Sequence, residues 1–344
     1  MIFKKFRFAV HCAVVFASVH AQAGESQELA VKAAAAHCKD AACSQRLTSL
    51  LINTPAITRN IGTEDRNAIA GPGNSWHPAS RAACDAKILR TGVVAQNPAF
   101  ESKCGAKWMA PVPSRNRDPI SAKVCIDQFE FPNLPCEYPV AWTSVSQANR
   151  ICQSMGKRLC NAFEWEGGCA GSIDMTAPYV SQGAEHNAAR EKTWAFSWRT
   201  HGADSRSVCA VFSPNDPEID ARARGHYSAI GTSVSCNPAV SPLATCGTNS
   251  WPAGFKAACG SPLGVFDMHG NLAEVVSLPT GPNDVADASG RVGVNEHKGS
   301  FFVYRGGYPD DCRVRQPAEH QFPISRDTGH AFYQEGFRCC KDVQ

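Results

Sequence analysis

The sequence lacks the motifs that mark the common enzyme classes. It has no Cys-x-x-Cys and no His-Glu-x-x-His, the spacings that gather zinc ligands. Gly-x-Ser-x-Gly, the phosphate-cradling Gly-x-x-x-x-Gly-Lys and the dinucleotide Gly-x-Gly-x-x-Gly are missing too, so hydrolase and nucleotide readings have no support. There is no Asn-x-Ser/Thr acceptor and no internal repeat. After residue 23, no apolar run approaches the 18 residues a membrane helix needs. A strong charge of either sign is also missing, because the formal net charge of the 344 residues is only +3.

The beginning of the chain accounts for that small excess. Lys4, Lys5 and Arg7 precede an apolar stretch from Phe8 to Val19, and Ala21-Gln22-Ala23 supplies the small-x-small pattern of an export-signal cleavage site. Removing residues 1–23 takes away three basic and no acidic residues, so the expected mature chain is neutral. A neutral chain has no general basic field for nucleic acid. The same removal takes Cys12 and lowers the cysteine count from 17 to 16. An even, large number of cysteines in an exported chain reads as a disulfide framework, and a bacterial periplasmic or extracellular location is expected.

Residues 27–52 are Ala-rich, with Ala30, Val31, Ala34, Ala35, Cys38, Leu47, Leu50 and Leu51 near helical spacing. Cys38 and Cys43 can pair locally only if the helix breaks between them. Residues 53–118 are rich in turn formers, and Cys84 with Cys104 offers one way to staple them. The polar, proline-rich stretch 111–119 suits a linker or domain edge. The spacing therefore predicts a small helical and loop-rich region over residues 24–118 and a separate domain over 119–344.

Val124 to Phe131 reads as a strand ended by Pro132-Asn133. Thr143 is the expected N-cap of a helix running to about Met155, with Gly156 as its left-handed stop. Asn161 with Glu164 predicts a capping box opening a short helix. Residues 171–262 show little periodicity. Gly264–Val276 and Phe301–Gly307 read as strand-and-turn units, and residues 336–340 as a closing strand.

Four blocks of this sequence resemble the formylglycine-generating enzyme, or sulfatase-modifying factor, family. They are Val124-Cys125-Ile126-Asp127-Gln128-Phe129-Glu130; Gly156-Lys157-Arg158-Leu159 with Glu164-Trp165-Glu166; Pro262 to Glu274, containing Asp267-Met268-His269-Gly270-Asn271; and Tyr304-Arg305-Gly306-Gly307 with Gly336-Phe337-Arg338-Cys339. The resemblance implies an irregular α+β domain related to C-type lectins, with low regular secondary structure and disulfide staples. In the third block, Asp267, Asn271 and Glu274 offer hard oxygens around a glycine, which suits Ca²⁺ better than Zn²⁺. The other reading of these residues is an Asn271 helix cap beside a solvated Asp and Glu. The resemblance implies calcium held by Asp267, the carbonyls of Gly270 and Leu272, and Glu274.

The resemblance further implies the disulfides Cys152–Cys339 and Cys169–Cys312. Cys339 and Cys340 are adjacent on an expected strand and need different partners, and Cys160 is the partner expected for Cys340. Cys125–Cys136 is expected as a local staple. Copper-dependent family enzymes oxidise a substrate cysteine to formylglycine with a cysteine pair in the loop after Arg-Gly-Gly. Here that interval is Tyr308-Pro309-Asp310-Asp311-Cys312 and holds a single cysteine, which is either the disulfide partner of Cys169 or a lone catalytic candidate. Copper would lack its second thiolate. Tyr308, Asp310, Asp311 and Arg315 are groove candidates if the family's substrate groove is retained, and a polar surface loop otherwise. The expectation is a calcium-stabilised module that binds a protein or peptide, or a member with altered chemistry. The alternatives are a copper oxidase acting on sulfatase-type substrates and a periplasmic non-haem iron enzyme, for which His297, His320 and His330 lie near the matching blocks.

Overall fold

The computed structural model describes residues 32–53, 77, 79–141, 143–173, 209, 250–277, 295–298, 312 and 335–344. Its helices are α1 (Ala41–Asn53), α2 (Arg81–Cys84), α3 (Pro98–Cys104), α4 (Val145–Ser154) and α5 (Ala162–Ala170). Its strands are β1 (Met109–Pro111), β2 (Val124–Asp127), β3 (Arg158–Leu159), β4 (Ala273–Ser277), β5 (Asn295–Lys298), β6 (Glu335–Gly336) and β7 (Cys339–Asp342). A four-stranded antiparallel sheet runs β1-β2-β7-β3, and a three-stranded sheet runs β5-β4-β6 with β4 and β6 parallel. No described helix is long and apolar enough to cross a membrane.

Local sequence chemistry sets the two helices that frame the core. Ser144, one residue later than the expected Thr143, caps α4 through a capping box with Gln147. Its hydroxyl reaches the Gln147 N–H at the N3 position, which Thr143 is too far back to serve. Gly156 ends the helix at φ +70° as expected. Val145, Ala148, Ile151 and Cys152 form its buried face. The Asn161–Glu164 capping box opens α5, which continues past Trp165 to Ala170. Two glycines let α5 lie close to its neighbours. A Cβ at Gly167 would come within 2.7 Å of both Ile173 Cγ1 and Val112 Cγ1, and one at Gly168 within 2.9 Å of Ile126 Cδ1.

The strand expected over Val124–Phe131 stops at Asp127. Beyond it the Gln128 N–H goes to the Trp108 carbonyl, and the Phe129 N–H goes to the Asn133 side chain. Asn133 therefore takes the Phe129 amide that a continuing strand would pair.

The N-terminal region is stitched onto the rest. Residues 32–37 are helical, a break follows, and Cys38–Cys43 closes across it. Ala33, Ala34 and Leu47 share one apolar cluster with Phe131, Val140, Val145, Ile151, Leu272 and Phe337. Cys104–Cys125 ties α3 to β2, and Cys84–Cys136 ties α2 to the loop before α4. These two bonds replace the expected Cys125–Cys136 staple and the Cys84–Cys104 option. The β1–β2 pairing sets Pro111 opposite Cys125, so Cys125 lies within reach of the segment leading from α3. Strand β1 precedes the expected boundary at residue 118, so the sheet itself crosses it.

The structure joins Cys152 to Cys339, Cys160 to Cys340 and Cys169 to Cys312. Cys339 and Cys340, adjacent on β7, thus reach two different partners. Cys209–Cys259 completes the described disulfides.

Candidate functional site

The third sequence block forms a buried turn leading into β4. Asp267, Gly270 and Asn271 adopt φ values of +58°, +88° and +63°, a run of left-handed conformations that folds the backbone back on itself. Asn271 caps no helix, because the chain goes directly into β4. Its amide nitrogen donates to Glu130 Oε2 at 2.6 Å, and its oxygen accepts the Trp251 N–H at 2.7 Å. The Leu272 N–H donates to Glu130 Oε1 at 2.8 Å. One carboxylate from the end of the first block therefore holds the turn of the third. Both Asp267 and Glu274 are buried rather than solvated.

Asp267 accepts the Gly254 N–H at 2.7 Å. Glu274 is held differently. Arg338 Nε donates to its Oε2 at 2.7 Å, Arg338 Nη2 donates to Oε1, and Trp165 Nε1 donates to Oε2 at 3.0 Å. Arg338 also donates to the carbonyls of Asp127 (3.1 Å) and Phe266 (3.0 Å). Arg338 and Glu274 are both fully buried, so this is a bidentate pair removed from water. As a calcium cradle, the donor set fits in part. Asp267, Gly270 and Leu272 fall on one sharply folded turn, but both Glu274 oxygens are engaged by a guanidinium.

Electrostatics sharpen this arrangement. Three carboxyl groups, Glu130, Asp267 and Glu274, crowd around Arg338, and Lys256 adds a second positive charge near Asp267. Burial, followed by the Asp267 and Glu274 charges, holds the Glu130 carboxyl well above the ordinary carboxylate range. Burial raises Asp267 to about 6. The cluster therefore favours taking up protons or a cation.

A second buried network joins the N-terminal region to the core. Lys157 Nζ donates to Asp127 Oδ1 at 2.6 Å and to His37 Nδ1 at 3.1 Å. His37 Nε2 donates to the Pro132 carbonyl at 2.7 Å. With one ring nitrogen donating and the other accepting, the imidazole is neutral. Burial, reinforced by the Lys157 charge, lowers its pKa to about 3. Asn133 and the Cys339 N–H complete the shell of Asp127, at 3.0 and 3.1 Å. Burial nonetheless raises Asp127 above its ordinary range.

The remaining candidates are placed as follows. Cys312 is buried and bonded to Cys169, and the buried His269 stands beside that disulfide with Nε2 3.7 Å from Cys169 Sγ. His297 lies on β5 opposite Val275. Tyr308, Asp310, Asp311, Arg315, His320 and His330 lie outside the described residues. Sequence reasoning missed the roles of Glu130, Arg338, Lys157 and His37. The first three stand inside quoted blocks, and a charged residue between apolar neighbours, as in Phe129-Glu130-Phe131 and Phe337-Arg338-Cys339, was the available signal.

Residues 88–343 match the sulfatase-modifying factor enzyme 1-like domain. A solved structure, PvdO from Pseudomonas aeruginosa, is similar to the chain at 13% identity, over 68% of this chain and 90% of that one, with a TM-score of 0.31. No curated protein matches it.

Proposed function

The chain belongs to the sulfatase-modifying factor enzyme 1-like family, and from that premise we propose that it is an exported member acting as a calcium-stabilised binding module for a protein or peptide. The observation that carries this reading is the state of Cys312. The interval 308–312 holds one cysteine, and its sulfur is bonded to Cys169. Copper oxidation of a substrate cysteine calls for a pair of soft thiolates in that loop. All fourteen described cysteines are in disulfides. On this reading the scaffold is kept while the one cysteine of that loop is spent on a cross-link.

Calcium at the Asp267–Glu274 turn belongs to the same reading. It is supported by the crowding of three carboxyl groups around Arg338 and by the placement of Asp267, Gly270 and Leu272. Hard oxygen donors in a flexible count are what Ca²⁺ accepts. Arg338 takes the carboxylate of Glu274, so the ion would rest mainly on Asp267 and the backbone.

The test is a direct assay. The folded protein is titrated with Cu(I) against a competing chelator, then incubated in air with a cysteine-containing sulfatase peptide. The reading expects no stoichiometric copper binding and no aldehyde product. Aldehyde formation would establish the oxidase, and bound iron in protein purified without chelators would establish the iron enzyme. The calcium assignment expects chelator to lower the thermal midpoint of the native protein but not of Asp267→Ala, and it fails if the two respond alike.

A further inference from the structure

We propose that the Cys169–Cys312 disulfide, with His269, is a masked binding site for a thiophilic divalent d¹⁰ cation such as Zn²⁺, opened by a dithiol reductant. The inference stands apart from the calcium turn and from any oxidase chemistry. The sulfurs of Cys169 and Cys312 and a ring nitrogen of His269 all lie within 4.8 Å of one another, and all three residues are fully buried. Two sulfurs and an imidazole make the Cys₂His donor set of an open zinc site.

The opening step balances simply. The dithiol gives two electrons and two protons to the Cys169–Cys312 bond, leaving two thiols and an oxidised reductant. The cation then displaces the two thiol protons and forms two metal–sulfur bonds and one bond to His269. Sulfurs sharing a tetrahedral zinc at ~2.3 Å stand roughly 3.8 Å apart. They are 2.07 Å apart in the disulfide. The sulfurs must therefore move apart by roughly 1.7 Å, a change of side-chain torsion rather than of fold.

The surroundings select the metal-bound state over bare thiolates. Trp165, Leu263, Val265, Met268 and Val276 share the apolar cluster that contains both cysteines. Two unpaired thiolates there would face a severe desolvation cost, whereas two thiolates on a dication are neutral as a unit. The geometry also survives the opening. His269 sits between Asp267 and Asn271, which are tied to Gly254 and Glu130. The separate Cys209–Cys259 bond lies against it, with Cys259 Sγ 3.6 Å from the His269 carbonyl oxygen. The site thus exchanges one cross-link for another, covalent under oxidising conditions and metal-bound under reducing ones.

The experiment uses the full chain, limiting dithiothreitol and Co²⁺ as a spectroscopic stand-in for zinc. The expected result is one equivalent of tetrahedral cobalt with a thiolate-to-metal charge-transfer band, displaced by Zn²⁺. The band is lost in Cys169→Ser/Cys312→Ser and kept in Cys104→Ser/Cys125→Ser, which also lacks one disulfide. His269→Gln, folded by its intact disulfides before reduction, binds at least tenfold more weakly. Should that variant fail to fold, Cys169→Ser alone serves and must lose the band. No band in the native sequence, a band that persists in Cys169→Ser/Cys312→Ser, or a His269→Gln affinity within tenfold of native would overturn the proposal.

Discussion

Acid should loosen this protein chiefly through His37. In the folded state the imidazole is neutral, donating to Pro132 and accepting from Lys157, with a pKa lowered from 6.5 to about 3. A depressed value means that the unfolded chain binds the proton first. The stabilising contribution is fully present above pH 6.5 and is lost as pH falls from there toward 3. Each pKa unit is about 1.36 kcal/mol, so the loss at pH 5 is about 2 kcal/mol, and by pH 3 it approaches ~5 kcal/mol. At about 2 °C per kcal/mol for a chain of this size, the pH 5 loss corresponds to roughly 4 °C in Tm. The assay compares native protein with His37→Gln, whose amide can donate to Pro132 and accept from Lys157 without titrating. The difference in Tm between the two should shrink by roughly 4 °C between pH 7 and pH 5, because only the native protein carries the histidine loss. A constant difference over that range would refute the placement of His37 as a buried neutral ring.

Asp267 carries the opposite sign. Its pKa is raised from 3.8 to about 6, so its contribution is present below pH 4 and is lost as pH rises through 6, by about 3 kcal/mol. Bound calcium should offset that loss, so the Tm gain on adding Ca²⁺ is expected to be larger at pH 7 than at pH 5, and an equal gain would contradict it. Arg338→Met leaves the buried Glu274 without its bidentate partner, and should cost about 3–5 kcal/mol by denaturant titration. A loss under 1 kcal/mol would mean the pair is not buried as described. Opening Cys104–Cys125, with a separation of 21 residues, should cost about 3 kcal/mol in the chain-entropy account. Opening Cys152–Cys339 alone should cost about 3 kcal/mol as well despite its separation of 187, because Cys160–Cys340 remains and leaves a loop of only roughly ten residues to close. A loss of ~5 kcal/mol for it alone would count against that account. Gly167→Ala, whose methyl would meet Ile173 and Val112 at 2.7 Å, is expected to cost about 1–3 kcal/mol.

What was legible in the sequence was what local chemistry decides. The Asn161–Glu164 box, the Gly156 stop and the break between Cys38 and Cys43 depend on residues within five positions of each other, and the structure contains each of them. Ser144 rather than Thr143 caps α4, because adjacent hydroxyl residues differ only in which one the incoming chain places over the N3 amide. The strand stops short of Phe131 because its apolar alternation continues into a turn where Asn133 captures the Phe129 amide. Cys125 and Cys136 are neighbours in sequence, but β1–β2 pairing brings Cys104 to one and the α2 segment brings Cys84 to the other. The pairing within the buried ion network was not legible. Glu274–Arg338 and Asp127–Lys157 join residues 64 and 30 positions apart, and apolar neighbours around a charge hint at burial without naming its partner.

The central claim is that Cys312 is a structural sulfur and not a catalytic thiol. It is tested most directly by alkylating the native, unreduced protein and mapping the cysteines by mass spectrometry after proteolysis without reductant. The account predicts that Cys312 stays unlabelled and is recovered cross-linked to Cys169, as the disulfide in the structure requires. Recovery of Cys312 as a labelled thiol, with Cys169 bound elsewhere or free, would contradict it and favour the oxidase alternative.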